Sequence, residues 1–225
     1  IYFHMAQYVK VNLCSIKNNY AGGFGGAIGA INSTFADSLI IANSEILLNS
    51  ATNGGGLSII NDDEIISNNN IILFYNNLVV KNNYQSIGVY YGGGFYIENC
   101  DNITINYNTV IGNGNSGETT SGTSSYGGSI FLDGGELNIE NSIFWNNNAF
   151  SGKEWKSFNE GIFYGEYTII NANYINPIDN TYCGAGCIND EPLFIDSESF
   201  DFNLAPGSPG EGVSTEGNNI GYTKP

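Results

Sequence analysis

The sequence predicts an all-β fold, a right-handed parallel β-helix in which three short strands per coil build a three-sheet solenoid with a single domain. Three observations predict it: a Gly-Gly strand start that recurs along the chain, Asn residues that recur at a similar interval, and apolar alternation over four to six residues without a helical period. One such repeat cannot bury its apolar face alone, but stacked repeats can. The chain has 225 residues, of which 41% are hydrophobic, enough for one large domain with a core.

The glycine signal consists of four segments that each open a short strand. They are Gly25-Gly26-Ala27-Ile28, Gly54-Gly55-Gly56-Leu57, Gly92-Gly93-Gly94-Phe95 and Gly127-Gly128-Ser129-Ile130, with a degenerate fifth copy at Gly161-Ile162-Phe163. We interpret Gly26, Gly55, Gly93 and Gly128 as structural residues at tight turns with close backbone approach. Stacking of the repeats would align one interior column, formed by Ile28, Leu57, Phe95 and Ile130.

The asparagine signal runs in step with the glycines, among 35 Asn in the chain. Residues 31 or 33 positions apart close short apolar runs at Asn18, Asn49, Asn82, Asn113 and Asn146. An upstream row lies at Asn12, Asn43, Asn77, Asn108 and Asn141. Asn tolerates a left-handed backbone at corners, and its amide both donates and accepts, so stacked Asn can form ladders. We therefore interpret Asn49, Asn82, Asn113 and Asn146 as structural residues, not as ligands.

Charge narrows the range of partners. The formal net charge is −16, and the six basic residues are all Lys. This charge repels nucleic acid and disfavours polyuronates unless a cation bridges the two. No apolar run is long enough to predict membrane insertion. Neutral glycans, surface proteins and divalent cations remain as predicted partners.

The order along the chain predicts three regions. Residues 1–9 form an irregular start, either a tag remnant or part of a missing coil; residues 10–187 form the coils; residues 188–225 form a closing coil or cap. The short spacing between Cys183 and Cys187 allows a disulfide. Cys14 and Cys100 should lie more than two coils apart, which is too far to bridge, and are predicted to be buried thiols.

Two kinds of segment carry a resemblance to known proteins. Gly25-Gly26-Ala27-Ile28, Phe74-Tyr75-Asn76-Asn77 and Phe144-Trp145-Asn146-Asn147 resemble the paired signature of polymorphic outer-membrane-protein-type repeats, within the pectin-lyase-like β-helix superfamily. The stretch 188–196 resembles the DPLF-type closing segment of bacterial secreted β-helix proteins. The resemblance implies secretion and an extracellular or cell-surface location. It fixes no activity, because the superfamily includes lyases, hydrolases, adhesins and passive stalks.

No catalytic set is recognisable in the sequence. Lyase chemistry of the resembled type needs a strong base beside carboxylates, yet the chain has no Arg, and its single His is His4. We therefore assign no catalytic residue. Asp62, Asp63 and Glu64 are candidate Ca²⁺ ligands because clustered oxygens suit this cation, and solvated turn carboxylates are the alternative. No other cofactor is predicted.

The loops that precede the Gly-Gly strands are the predicted binding region. They run 50–53, 83–91, 114–126 and 147–160, and they lengthen from 4 to 14 residues. Because all of them leave the same corner of the coil, they should stack into a wall on one flank. Aromatic side chains suit contact with sugar or protein, and the alternative is that they cover the sheet flank. The candidate binding residues are Tyr84, Tyr90, Tyr91, Tyr126, Trp155 and Phe158.

Three functions are compatible with these features. The first is a non-enzymatic structural or adhesion module that binds glycan or protein through the loop-walled flank. The second is a carbohydrate-active enzyme, a polysaccharide lyase or glycoside hydrolase. The third is a subunit that associates end to end into filaments, because the ends of a β-helix expose strand edges. The missing base residues favour the first.

Overall fold

The computed structural model describes residues 1–4, 6–31, 38–61, 71–83, 90–114, 125–171 and 180–225. They form an all-β solenoid of stacked parallel strands, which confirms the predicted fold class. No helix in these ranges is long and apolar enough to cross a membrane. In chain order the strands are β1 (Tyr2–His4), β2 (Tyr8–Asn12), β3 (Ser15–Lys17), β4 (Ile28–Ile31), β5 (Ser38–Ala42), β6 (Glu45–Leu47), β7 (Leu57–Ile60), β8 (Ile71–Tyr75), β9 (Leu78–Val80), β10 (Tyr90–Tyr91), β11 (Phe95–Asn106), β12 (Thr109–Ile111), β13 (Ser125–Tyr126), β14 (Ile130–Glu140), β15 (Ile143–Trp145), β16 (Trp155–Phe158), β17 (Ile162–Glu166), β18 (Ile169–Ile170), β19 (Asn180–Cys183), β20 (Phe194–Asp196) and β21 (Asp201–Leu204).

The coils stack their strands into three columns. The first column contains β1, β4, β7, the first halves of β11 and β14, and β16. The second contains β2, β5, β8, the second halves of β11 and β14, then β17 and β19. The third contains β3, β6, β9, β12, β15 and β18. Because β1 pairs with β4, residues 2–4 form the first strand of the first column.

The interior column predicted from the glycine repeat is present. Ile28 pairs with Leu57, Leu57 with Phe95, Phe95 with Ile130, and Ile130 with Trp155, and all five side chains are buried.

The fifth copy of the glycine repeat was placed wrongly. Gly152 takes the position of Gly127 and shares its positive φ, so Trp155 continues the column, whereas Gly161-Ile162-Phe163 leads into β17 of the second column. Lys153 stands where the other copies have their second glycine.

The two glycines of each pair serve different purposes. The first adopts a left-handed backbone, as Gly92 does with a φ of 65°. The second lies so close to the neighbouring coil that a Cβ on Gly93 would overlap the carbonyl oxygen of Gly128 and the backbone nitrogen of Gly114. The same position in other coils, including Gly26, Gly55 and Gly128, is equally closed. Glycine is therefore required here by the spacing of the coils.

A ladder of amides, buried apart from its first member, runs along the corner after the third column. Its members are Asn19, Asn49, Asn82, Asn113 and Asn147. The Oδ1 of Asn82 accepts from the backbone N–H of Asn49 at 2.9 Å and from its Nδ2 at 3.0 Å. The Nδ2 of Asn82 donates to the Ile46 carbonyl at 2.9 Å and to the Asn113 Oδ1 at 2.9 Å. Every donor and acceptor of this side chain is thereby satisfied inside the protein.

The left-handed corner and the ladder are separate positions. Asn146, predicted to be a ladder residue, is exposed with a φ of 55°, and Asn147 occupies the ladder instead. Leu48 and Lys81 adopt the left-handed backbone in other coils, with φ of 58° and 52°. The corner thus accepts several residue types, whereas the ladder requires a side chain that donates and accepts.

The segment 193–223, which we call the C-terminal strap, lies against the outer face of the third column. Its Phe202 and Tyr222 are buried in one apolar cluster with Leu47, Leu78 and Val80. The strap lies within residues 188–225, the predicted closing coil or cap, and its described contacts run along the side of the third column. Its hydrogen bonds join Gly221 N to Asn141 O, Tyr222 N to Thr109 Oγ1, Thr223 N to Asn76 Oδ1 and Tyr107 Oη to Ser214 Oγ.

Removing one ladder amide should strongly destabilise the solenoid. Asn113→Ala would remove the acceptor of the Asn82 backbone N–H and of one Nδ2 hydrogen of Asn82, and the side-chain donor to the Val79 carbonyl. Because these groups are buried, water cannot replace the lost bonds. We expect the free energy of unfolding to fall by at least about 3 kcal/mol in urea denaturation. The control, Asn146→Gly, keeps the left-handed corner and should change stability by less than about 0.5 kcal/mol. Equal losses in the two variants would contradict the ladder.

Candidate functional site

The outer face of the first column carries two rows of side chains across three coils. Alternate residues of a strand point to opposite faces, so the neighbours of the buried column residues point outward. Tyr96, Phe131 and Lys156 are register partners and form one row. The second row, one alternation further along, consists of Glu98, Asp133 and Phe158.

A second pair of strands forms a wall beside these rows. β10 and β13 pair in parallel just before the first column, so Tyr91 lies beside Tyr126. Their rings stack with centroids 5.4 Å apart and an interplanar angle of 11°. The rings of Tyr96 and Phe131 stack in the same way, at 5.7 Å and 2°. The Tyr91 and Phe131 rings meet edge to face at 5.1 Å and 69°, so the two stacks form a corner.

The aromatic corner formed by these two ring stacks, together with the outer rows of the first column, encloses a groove of about 450 Å³. This volume lies within the range of small-molecule sites. Phe158, at the rim, is 58% exposed, whereas Tyr96 and Phe131 lie on the floor and are mostly covered by their neighbours. The groove is lined by Asn53, Tyr91, Tyr96, Tyr126, Phe131, Asp133, Lys156 and Phe158.

Neutral donors hold the two carboxylates at the groove. The Tyr96 phenol donates to Glu98 Oε2 at 2.8 Å, and the Asn159 Nδ2 donates to Asp133 Oδ1 at 2.7 Å. Burial raises the pKa of the Tyr96 phenol far above its usual range, and the hydrogen bond to Glu98 and the nearby negative charges add to this. Tyr96 therefore stays a neutral donor. The side chains of Glu98, Asp133 and Lys156 together give this surface a net negative charge.

The structure brings together three of the six predicted binding residues. Tyr91, Tyr126 and Phe158 line the groove. Tyr90 and Trp155 do not contribute to an exposed wall, because they are only 1% and 0% exposed.

Strand alternation explains the two exceptions. It turns Tyr90 inward, where its phenol donates to the Asn148 carbonyl at 2.6 Å. Trp155 packs in the core against Phe144 and Phe163, with ring centroids 5.3 Å away in each case. Tyr84, the sixth predicted residue, lies outside the described residues.

The floor of the groove was missed at the sequence level. Tyr96, Phe131 and Asp133, with Glu98 beside the groove, belong to the Gly-Gly strands themselves, not to the loops that precede them. The signal for them was the alternation within FYIE and IFLD, whose second and fourth residues face outward. Lys156 follows the same rule once Trp155 is placed in the interior column.

The remaining predicted sites fall elsewhere. Asp62, Asp63 and Glu64 lie outside the described residues, so calcium binding by them stays a prediction. A disulfide joins Cys183 and Cys187 at the end of β19, with an S–S distance of 2.02 Å. Cys14 is a partly exposed free thiol and Cys100 a buried one. Burial, with smaller effects from Asp101 and Glu98, raises the pKa of the Cys100 thiol to about 12, which makes it unreactive.

Comparison with known proteins finds no family model, no curated protein and no solved structure that matches the chain. The site therefore rests on the geometry of the groove.

Truncation of two aromatic residues of β16 should lower stability by very different amounts. Trp155→Ala removes a fully buried ring and should lower the free energy of unfolding by about 3–5 kcal/mol. Phe158→Ala, three residues away but exposed, should cost less than about 1 kcal/mol. Urea denaturation of both variants measures the difference. A small loss for Trp155→Ala would place its ring at the surface and would contradict the described packing.

Proposed function

We propose that the protein is a secreted or cell-surface binding module that holds a neutral glycan in this groove. The observation that carries the proposal is the aromatic corner of Tyr91, Tyr126 and Phe131 beside the carboxylates of Glu98 and Asp133. Aromatic rings contact the apolar C–H faces of sugars, and carboxylates accept hydrogen bonds from their hydroxyls. The net charge of −16 disfavours polyuronates.

Secretion and family membership belong to the same proposal. The disulfide supports an oxidising compartment. Membership of the pectin-lyase-like superfamily rests on the Gly-Gly-Ala-aliphatic and Phe-x-x-Asn segments. In the segments 74–77 and 144–147 the Phe is a core residue and the last Asn belongs to a buried ladder, so both positions have a structural purpose.

A glycan array read with calcium and with chelator tests this function. We expect binding of neutral glycans, and a Phe158→Ala/Asp133→Asn double variant should weaken it by about tenfold, because it loses a ring contact and a charged acceptor. Tyr182→Ala is the matched control, since Tyr182 is equally exposed but lies on β19 of the second column. Binding that requires calcium would direct attention to Asp62, Asp63 and Glu64. The proposal fails if no neutral glycan binds, or if the control weakens binding as much as the groove variant.

A glycoside hydrolase is the second candidate, favoured by the pairing of Glu98 with Asp133. These residues are register partners on adjacent coils, and neighbouring strands lie about 4.8 Å apart. The two carboxyl groups of retaining glycosidases are separated by about 5–5.5 Å. The register therefore sets the two carboxylates side by side on adjacent strands, with Asp133 in the lining of the groove and Glu98 next to it.

Hydrolysis would be seen as new reducing ends released from neutral polysaccharides. If the pair is catalytic, Glu98→Gln and Asp133→Asn should each reduce the rate by at least about a hundredfold while the protein stays folded. Glu160→Gln, at an exposed position beside the same face, should keep the wild-type rate. Glycan binding without any release of reducing ends would leave the binding module as the function.

A further inference from the structure

The amide ladder ends on a buried acid. Glu154 is 0% exposed, and its carboxyl oxygens lie 3.3 Å from the backbone nitrogen and 2.6 Å from the Nδ2 of Asn147. Elsewhere in the ladder, the equivalent backbone N–H and Nδ2 of each Asn donate to the Oδ1 of the Asn in the next coil. The Glu154 carboxyl thus takes the place of an amide, but unlike an amide it can ionise.

The surroundings of this carboxyl favour its neutral form. From β14 and the residue before it, Ser129 and Ile130 donate to the backbone carbonyl of Glu154 and leave the carboxyl to Asn147. Among the described residues, Lys153 is the charged group that acts on the carboxyl, and it lowers the pKa. Burial outweighs Lys153 and the Asn147 hydrogen bonds and raises the pKa of Glu154 to about 8.

Glu154 is connected directly to the groove. It immediately precedes β16, whose Trp155 points into the core and whose Lys156 and Phe158 line the groove. In the described ranges β16 pairs with one strand only, β14. Because Glu154 directly precedes β16, a movement that brings Glu154 to water must displace the strand that carries Lys156 and Phe158 of the groove.

We propose that Glu154 makes the groove sensitive to pH: its neutral carboxyl holds the start of β16 to Asn147 at the end of the ladder, and its ionisation favours release of β16. The effect of pH on ligand binding rests on the proposed function, because it requires that the groove binds a ligand. The release of β16 does not depend on the proposed function. When β16 is released, the Glu154 carboxyl has the ordinary pKa of about 4.5. The held state therefore keeps a proton that the released state loses, and this difference operates between about pH 4.5 and 8. Across that window release should rise by up to about tenfold per pH unit, and above it release should level off.

Amide hydrogen exchange of residues 155–158 tests the inference without any ligand. In the wild type, protection factors corrected for intrinsic rates should fall by up to about tenfold per pH unit from about pH 5 and flatten above about pH 8. Glu154→Gln cannot ionise, yet it keeps an oxygen for Asn147, so its protection should not change with pH. Glu160→Gln, exposed in the same segment, should behave as the wild type.

Two results would overturn the inference: wild-type protection that does not change with pH, or a slope that persists in Glu154→Gln. A second measurement covers the case in which this variant does not fold. ¹³C NMR of Glu-labelled wild-type protein should show one carboxyl that titrates near pH 8, and titration of every Glu near its ordinary value would also overturn the inference. If no glycan binds on the array while hydrogen exchange of residues 155–158 still depends on pH, the proposed function is wrong and the pH response of β16 is retained.

Discussion

Each ladder amide binds the coils on both sides of it, and this forces equivalent positions of successive coils into register. Asn82 is held by Asn49 on one side and by Asn113 on the other. A shift of one residue between two coils would break these bonds and turn the interior residues of each strand outward. The same register places Ile28, Leu57 and Phe95 in one column and Tyr96 beside Phe131 on the outside. Core and groove are therefore consequences of one alignment.

The sequence was sufficient for the architecture because the close stacking of the coils requires glycine and the ladder bonds require the side-chain amide of asparagine. The closeness of neighbouring coils leaves no space for a Cβ at Gly93, so the glycine signal is strict. The exact ladder position was harder to predict, because Asn suits both the left-handed corner and the ladder. Asn146 and Asn147 are adjacent and only their environments distinguish them. The fifth repeat was placed wrongly because Lys153 stands where the other copies have their second glycine.

The site was harder to predict than the fold because it depends on which face each side chain takes. Tyr91, Tyr126 and Phe158 were found from loop position alone, but the same argument also selected Tyr90 and Trp155, which alternation turns inward. The sequence also indicates that the third column is covered on its outer face, where the strap lies. Leu78–Val80 and Ile143–Trp145 are apolar at every position, a pattern typical of strands covered on both faces.

The C-terminal strap also changes how the solenoid can come apart. In a stack of repeats that touch only their nearest neighbours, end coils can fray one at a time. Here Phe202 and Tyr222 share one apolar cluster with Leu47, Val80 and Ile111, which belong to three successive coils. Detaching any one of these coils would uncover the surface that the strap shields on the others. The strap thereby joins these three coils into one cooperative unit of unfolding.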